Sequence, residues 1–172
     1  MHTTRATAVA ALALAAATAF SNTPAQADWD IHTMKNEMDD TAIITAFATS
    51  DENVEGTFGL HGPASLFVRC MEGRTDVYFT MAEAFLADIP PFGNVDVRVD
   101  KEKPRTVQMN VSTDNKSLGL WRGQGVKLLK SMAGKKKLTI RAAAYNESQQ
   151  VMVFSLAGFD AALTKVRTAC KW

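Results

Sequence analysis

The sequence of 172 residues has few side chains of the types that ligate metals or act as nucleophiles. It contains three histidines and two cysteines. No His-x-x-x-His pair and no paired-cysteine spacing occurs, so we predict no transition-metal site. A G-x-S-x-G motif is also missing, and the G-x-G of residues 122–129 lacks a third glycine and a βαβ context. The sequence therefore predicts no cofactor and no familiar catalytic centre.

An excess of charge of one sign is missing as well. The chain has 19 basic and 18 acidic side chains, and Arg5 is the only charged residue within residues 1–27, which leaves 18 of each in the remainder. A neutral domain without a polybasic tract is not expected to bind nucleic acid or an anionic membrane. No apolar run after residue 27 has the length of a membrane span, so we expect no membrane insertion there.

The one long apolar run lies at the N terminus. Residues 8–20 are small and apolar, Arg5 precedes them, and Ala25 and Ala27 form an A-x-A cleavage site. This order is typical of a secretory signal peptide, and the run is too short to span a membrane as a mature helix. We therefore expect a leader of residues 1–27 and a single mature domain of residues 28–172, located in the periplasm or secreted.

The two cysteines, Cys70 and Cys170, lie a hundred residues apart. In an exported protein, two cysteines predict one disulfide, and the alternative is two free thiols. By the chain-entropy estimate, such a bridge stabilises the fold by at most about 4.7 kcal/mol.

Short β-rich runs fill most of the mature chain. Residues 64–70 and 75–81 flank a glycine turn, residues 94–100 alternate strictly, and residues 137–145 and 150–158 flank a second polar turn. Further strands are predicted over residues 29–36, 39–50, 106–112 and 117–121, and residues 55–63 are predicted as a loop or irregular edge. The fold class is mainly antiparallel β, either a compact sandwich or a strongly curved sheet.

Two short helices complete this prediction. Residues 125–134 have helical spacing and end on a glycine. From residue 159, apolar side chains recur at intervals of three and four, and Cys170 lies on that stripe. We therefore expect the C-terminal helix to pack on the sheet, with Cys170 facing Cys70 and the final tryptophan packing just beyond them.

Three arginines interrupt apolar β runs and are the candidate binding residues. Arg69, Arg98 and Arg141 would form one cluster with Asp100 and Asp114 if their strands were neighbours. One interpretation is a set of solvent-facing ion pairs, each contributing about 1 kcal/mol or less. The other is a site for a carboxylate or an acidic partner, since the guanidinium fork binds such groups directionally.

Catalysis has one weak candidate, His61. It would need a carboxylate partner to act as the general base of an envelope hydrolase, and a histidine without a partner is more often simply solvated.

Several segments in a fixed order resemble the TagO/VasI family of type VI secretion-associated proteins. They include "SLFVRCMEGRTDVYF", "VDVRVDKEKP" and "FSLAGFDAALTKVRTACKW", and the resemblance covers nearly all of residues 29–172. The family combines an L-x-x-R-C strand with a terminal F-x-L-x-G and C-x-W signature. Both cysteines match its cysteine positions, and Arg69, Arg98 and Asp100 match recurrent positions of unknown role.

The resemblance implies an exported accessory protein, from a family with no agreed enzymatic activity. Our first hypothesis is accordingly an interaction module that presents a rigid sheet to an envelope or secretion-apparatus protein. The alternative is a binder of small anionic ligands that uses the arginines, and the weakest candidate is the hydrolase.

Overall fold

The computed structural model describes residues 29–172, so the predicted signal peptide lies outside the described residues. Within them the chain forms ten strands, two α-helices and one 3-10 turn at Thr57–Gly59. The strands are β1 (Asp30–Lys35), β2 (Ala42–Glu55), β3 (His61–Met71), β4 (Arg74–Met81), β5 (Asn94–Val99), β6 (Arg105–Gln108), β7 (Asn110–Val111), β8 (Leu118–Leu120), β9 (Lys137–Ala143) and β10 (Gln149–Ser155). The helices are α1 (Val126–Met132) and α2 (Phe159–Cys170).

Two antiparallel sheets form the fold. The larger sheet has the strand order β1-β2-β3-β4-β8-β7, and the smaller has the order β10-β9-β5-β6. Alternation along each strand directs one set of side chains between the sheets, where Leu66, Phe79, Ile140 and Phe154 are fully buried. The predicted mainly β class with two helices is confirmed.

The strand predicted over residues 106–112 is divided between the two sheets. β6 pairs with β5 in the smaller sheet, whereas β7 pairs with β8 in the larger one. Met109, between them, is buried. A continuous β pattern in the sequence does not show such a change of sheet, because both halves keep extended backbone.

The prediction for residues 55–63 was partly wrong. β2 continues to Glu55 beyond a register shift between Thr49 and Asn53, and β3 already begins at His61. The buried Ser50 hydroxyl donates to the Glu52 carbonyl (2.6 Å) and accepts from the Ala64 N–H (2.9 Å). These bonds satisfy the backbone at the bulge and let the strand run on past its polar interruption.

Helix α2 packs against strands β2 and β3 of the larger sheet. Its buried side chains are the five of the predicted stripe, namely Phe159, Ala162, Leu163, Val166 and Cys170. Cys170 forms a disulfide with Cys70, whose Cα lies 5.7 Å away. Beyond the helix, the Trp172 indole N–H donates to the Thr75 hydroxyl (2.7 Å). The C-terminal helix therefore covers the sheet, as expected, and is fixed to it covalently.

None of the helices in the described part of the chain is long and apolar enough to cross a membrane.

Candidate functional site

The outward face of the larger sheet carries a row of aromatic side chains. Register places Phe47 opposite Phe67 and Phe67 opposite Tyr78, on neighbouring strands β2, β3 and β4. Since their sequence neighbours point into the core, these three rings must point outward. His32 from β1 and Trp121 after β8 extend the row at its two ends. We call these five residues the aromatic ridge.

The rings of the ridge stand on edge rather than lying flat on the sheet. Ring centroids are 5.7 Å apart for Phe47 and Phe67, 4.9 Å for Phe67 and Tyr78, and 5.2 Å for Tyr78 and Trp121, all stacked. These spacings are close to the distance between strands, so both faces of Phe67 and of Tyr78 are covered by neighbouring rings. The ridge therefore offers solvent the ring edges, which carry the positive part of the aromatic quadrupole.

Trp121 reaches the ridge because the residue opposite Tyr78 is Gly119. A Cβ at position 119 would lie 2.6 Å from the Tyr78 Cβ and 3.1 Å from the Trp121 ring. The indole N–H of Trp121 donates to the Asn110 carbonyl (3.0 Å), which fixes the ring across the edge of the sheet. The absence of a side chain at this one position thus makes room for the last ring of the stack.

An ion pair borders the ridge on one side. Arg69 donates to the Asp76 carboxylate through Nη2 (2.7 Å), and its guanidinium lies 5.4 Å from the centre of the Tyr78 ring. The Asp76 side chain is only 8% exposed, and its other oxygen accepts the Arg122 backbone N–H (2.8 Å). Burial raises the pKa of the Tyr78 hydroxyl, while the charge of Arg69 opposes that shift.

A groove of about 640 Å³ runs along the Tyr78–Trp121 end of the ridge. Its volume falls in the range of small-molecule and peptide sites. The lining includes both rings, the Arg69–Asp76 pair, Arg122 and Asp114. Hydrogen bonds from the Ser112 hydroxyl and the Lys116 backbone N–H lower the pKa of Asp114, so this carboxylate stays ionised.

The predicted arginine cluster does not form. Arg69 belongs to the larger sheet, whereas Arg98 and Arg141 lie on β5 and β9 of the smaller one. Arg141 donates to Asp96 on the neighbouring strand (Nε, 3.1 Å), an exposed ion pair on the outer face.

Arg98 and Asp100 have local roles at a turn. The Arg98 Nε–H donates to the Glu102 carbonyl (3.0 Å). The Asp100 carboxylate accepts the backbone N–H groups of Lys136 (3.0 Å) and Lys137 (2.9 Å). Of the five residues considered for a cluster, only Arg69 and Asp114 line the same groove.

His61 is exposed at the start of β3 and lines a smaller cavity of about 370 Å³ with Glu83 and Ser65. The Glu83 carboxylate binds the Lys116 ammonium (3.2 Å). Within residues 29–172, the His61 side chain makes no hydrogen bond to a carboxylate.

The sequence does not indicate the ridge directly. The ridge residues of β2, β3 and β4 lie in the β-rich runs "TAFAT", "LFVRC" and "DVYFT", and an aromatic residue in such a run fits either face of a sheet. Only the position of the arginine gave a signal, because Arg69 must point away from the core and Phe67, two residues earlier, lies on the same face.

These features define a small disulfide-linked protein of two β-sheets, with a row of aromatic side chains and a groove on the outer face of the larger sheet. The family described as "Type VI secretion system VasI, EvfG, VC_A0118" matches residues 2–172, and the chain belongs to this family. The predicted resemblance is thereby confirmed.

Two further comparisons add little. No curated protein matches the chain. Among solved structures, the crystal structure of invasion associated protein B from Bartonella henselae is similar, with 16% identity and a TM-score of 0.47 over 83% of this chain and 92% of that one. A likeness at this level says nothing about function.

Proposed function

We propose that this protein is a non-catalytic accessory protein of a type VI secretion system that is exported to the periplasm. It binds a protein of the envelope or of the secretion apparatus through the aromatic ridge. Membership of the VasI family supports the link to secretion. The observation that carries the mode of action is the row of five aromatic side chains on an outward sheet face.

The composition of this face suits a protein interface. Aromatic residues, methionine and arginine are enriched at the centres of interfaces, and tyrosine, tryptophan and arginine contribute most of the binding energy there. Four large rings of the ridge lie beside Arg69 and Met71, which occupy successive outward positions of β3. A docked partner would bury the apolar area that half-buried rings still expose.

Rigidity favours the same interpretation. The ridge side chains stack on one another across strands, and the disulfide between β3 and α2 holds the central strand of the sheet. A preorganised surface loses little conformational entropy on binding, so more of the contact energy appears as affinity.

The outer face of the smaller sheet gives a natural contrast. Its middle row runs from Val151 through Arg141 and Asp96 to Thr106, with the Thr106 hydroxyl donating to Asp96 (2.7 Å). These polar groups already satisfy one another, and exposed pairs of this kind contribute little to binding.

Site-directed photo-crosslinking tests the proposal. A benzoyl-phenylalanine at Thr49, an exposed outward position of β2 beside the ridge, should crosslink to a type VI secretion or envelope protein in cells. The matched control places the same group at Val151, which is 55% exposed on the other sheet. Osmotic-shock fractionation of the same cells should release the protein with periplasmic markers.

Three results would contradict the proposal. Equal crosslinking from both positions would show that the ridge is not the binding surface. Crosslinking only to cytoplasmic proteins would contradict a location in the periplasm. Full secretion by a strain lacking the gene would remove the accessory role.

A further inference from the structure

The groove beside the ridge has opposite charges at its two ends. Tyr78 lies opposite Gly119, in the middle of the groove. Chain direction then places Asp76 and Arg122 toward the β3–β4 turn, whereas Ser117 and Asp114 lie toward the β7–β8 turn. A ligand that lies along the groove therefore meets a basic end, an aromatic middle and an acidic end.

The basic end is supplied by Arg122. Arg69 is committed to Asp76, and Arg74 pairs with Glu72, so both of these guanidinium groups are neutralised. Among the described residues, the Arg122 guanidinium has neither a hydrogen bond nor an ion pair. Its backbone is nevertheless fixed, since φ is 55° and its N–H donates to the buried Asp76 carboxylate (2.8 Å).

The acidic end is supplied by Asp114. Its Oδ1 accepts the Ser112 hydroxyl (2.5 Å) and the Lys116 N–H (3.1 Å), which orients the carboxylate. The nearby Lys116 ammonium binds Glu83 instead (3.2 Å). Within residues 29–172, no cation pairs with Asp114, so its negative charge is available to a ligand.

The middle of the groove excludes some ligand classes. Both faces of Tyr78 are covered, one by Phe67 and the other by Trp121, so a sugar ring cannot stack flat on Tyr78. A small anion would be attracted by Arg122 and repelled by Asp114. A ligand with separate charges of both signs and an apolar part between them matches both ends and the middle of the groove.

We propose that the groove binds an extended peptide segment of the partner, with an acidic side chain at Arg122, an apolar side chain against Tyr78 and Trp121, and a basic side chain at Asp114. This inference rests on the proposed function and specifies which part of a protein partner is recognised. The charge at each end selects the sequence, and the aromatic middle supplies the apolar contact.

Synthetic peptides test this specificity. The probes are acetylated and amidated pentapeptides in which Ala-Phe-Ala separates Glu from Lys, Glu from Glu, or Lys from Lys. Binding is followed by the indole N–H signals in ¹⁵N–¹H spectra at low salt. The Trp121 signal should shift, whereas those of Trp29 and Trp172, which lie outside the groove, serve as internal controls.

Wild type should bind the Glu/Lys peptide about three- to fivefold more tightly than either peptide with two like charges, the size expected of one exposed ion pair. Asp114→Lys should change the preference to the Glu/Glu peptide, and Arg122→Glu should change it to the Lys/Lys peptide. Arg141→Ala, on the other sheet, should keep the wild-type order. A variant that merely unfolds would lose all three peptides and could not exchange its preference.

Equal binding of the three peptides, no binding of any, or variants that keep the wild-type order would each overturn the inference. If the peptides do not show the expected preference while crosslinking beside the ridge succeeds, the peptide specificity of the groove is refuted and the proposed function is kept. If the peptides succeed while no secretion or envelope protein is crosslinked, the groove remains a peptide site and the proposed function falls.

Discussion

Reducing the Cys70–Cys170 disulfide should destabilise the domain strongly without altering its folded structure. The bridge joins β3 to the last turn of α2 across 100 residues of chain. Four further buried side chains of α2, beginning with Phe159, keep the helix on the sheet. Reduction therefore removes the constraint on the unfolded chain while the folded packing stays in place.

The magnitude follows from the length of the closed loop. The chain-entropy estimate for a 100-residue loop is about 4.7 kcal/mol, and measured losses for native disulfides are about 2–5 kcal/mol. We expect a loss of about 3–4 kcal/mol, which is a large share of the roughly 5–15 kcal/mol that stabilises a typical domain. At about 2–4 °C per kcal/mol, the melting temperature should fall by roughly 10 °C.

Urea unfolding of residues 28–172 with and without dithiothreitol measures this loss. Near-ultraviolet circular dichroism in the absence of urea should be the same in both conditions, because the core is unchanged. The Cys70→Ala/Cys170→Ala protein is the control: it should be less stable than the oxidised protein and should not respond to the reductant. The comparison separates the crosslink from the small volume lost with the sulfur atoms.

A loss below about 1 kcal/mol on reduction would refute this reasoning, because the loop estimate cannot be that small unless the reduced unfolded chain keeps its two ends together. A loss accompanied by a changed near-ultraviolet spectrum would show instead that α2 needs the bridge in order to dock.

Three other perturbations give defined expectations. Gly119→Ala should cost about 1–3 kcal/mol in urea unfolding and should shift the ridge tryptophan indole signal, because the new methyl group would meet a β4 backbone carbonyl oxygen at 2.8 Å. Deletion of residues 159–172 should abolish the cooperative melting transition, since it removes five buried side chains and the bridge; a truncated protein with wild-type melting would contradict this. The hydrogen bond from Thr106, and after it the one from Arg141, hold the pKa of Asp96 below its usual value of 3.8. The stabilisation that the Asp96 carboxylate gives is therefore present above pH 3.8 and is lost as the pH falls through the lowered pKa. The difference in unfolding free energy between wild type and Asp96→Asn should shrink on acidification, and a difference that stays constant would contradict this prediction.

Much of the fold could be predicted from the sequence, because its signals are local. The glycine turn between β3 and β4 and the polar turn between β9 and β10 each lie between two β-rich runs. The stripe from Phe159 to Cys170 has the period of a helix, so it indicated both the helix and its buried face. Non-local features were missed: the change of sheet at Met109 depends on which distant strand each half meets.

The candidate site was less predictable for the same reason. The arginines stood out because each is charged within an apolar run, but their grouping required knowledge of which strands share a sheet. Arg122 and Asp114 border one groove with Tyr78 because β8, which separates them in the chain, pairs with β4. Arg122 is a turn residue at positive φ, and nothing in the sequence indicates that its side chain borders a groove.

The outer faces of the two sheets differ in ways that distinguish a binding surface from side chains that only stabilise the sheet. Each has a cross-strand Arg–Asp pair, but Asp76 is 8% exposed beside stacked rings and Asp96 is 24% exposed among polar groups. Stacked cross-strand rings also stabilise a sheet, so truncating Phe67 would weaken folding and binding together. Charge exchange at Arg122 leaves the stack intact. A changed peptide preference there can therefore come only from recognition, so the Arg122 variant tests binding in the groove without weakening the fold.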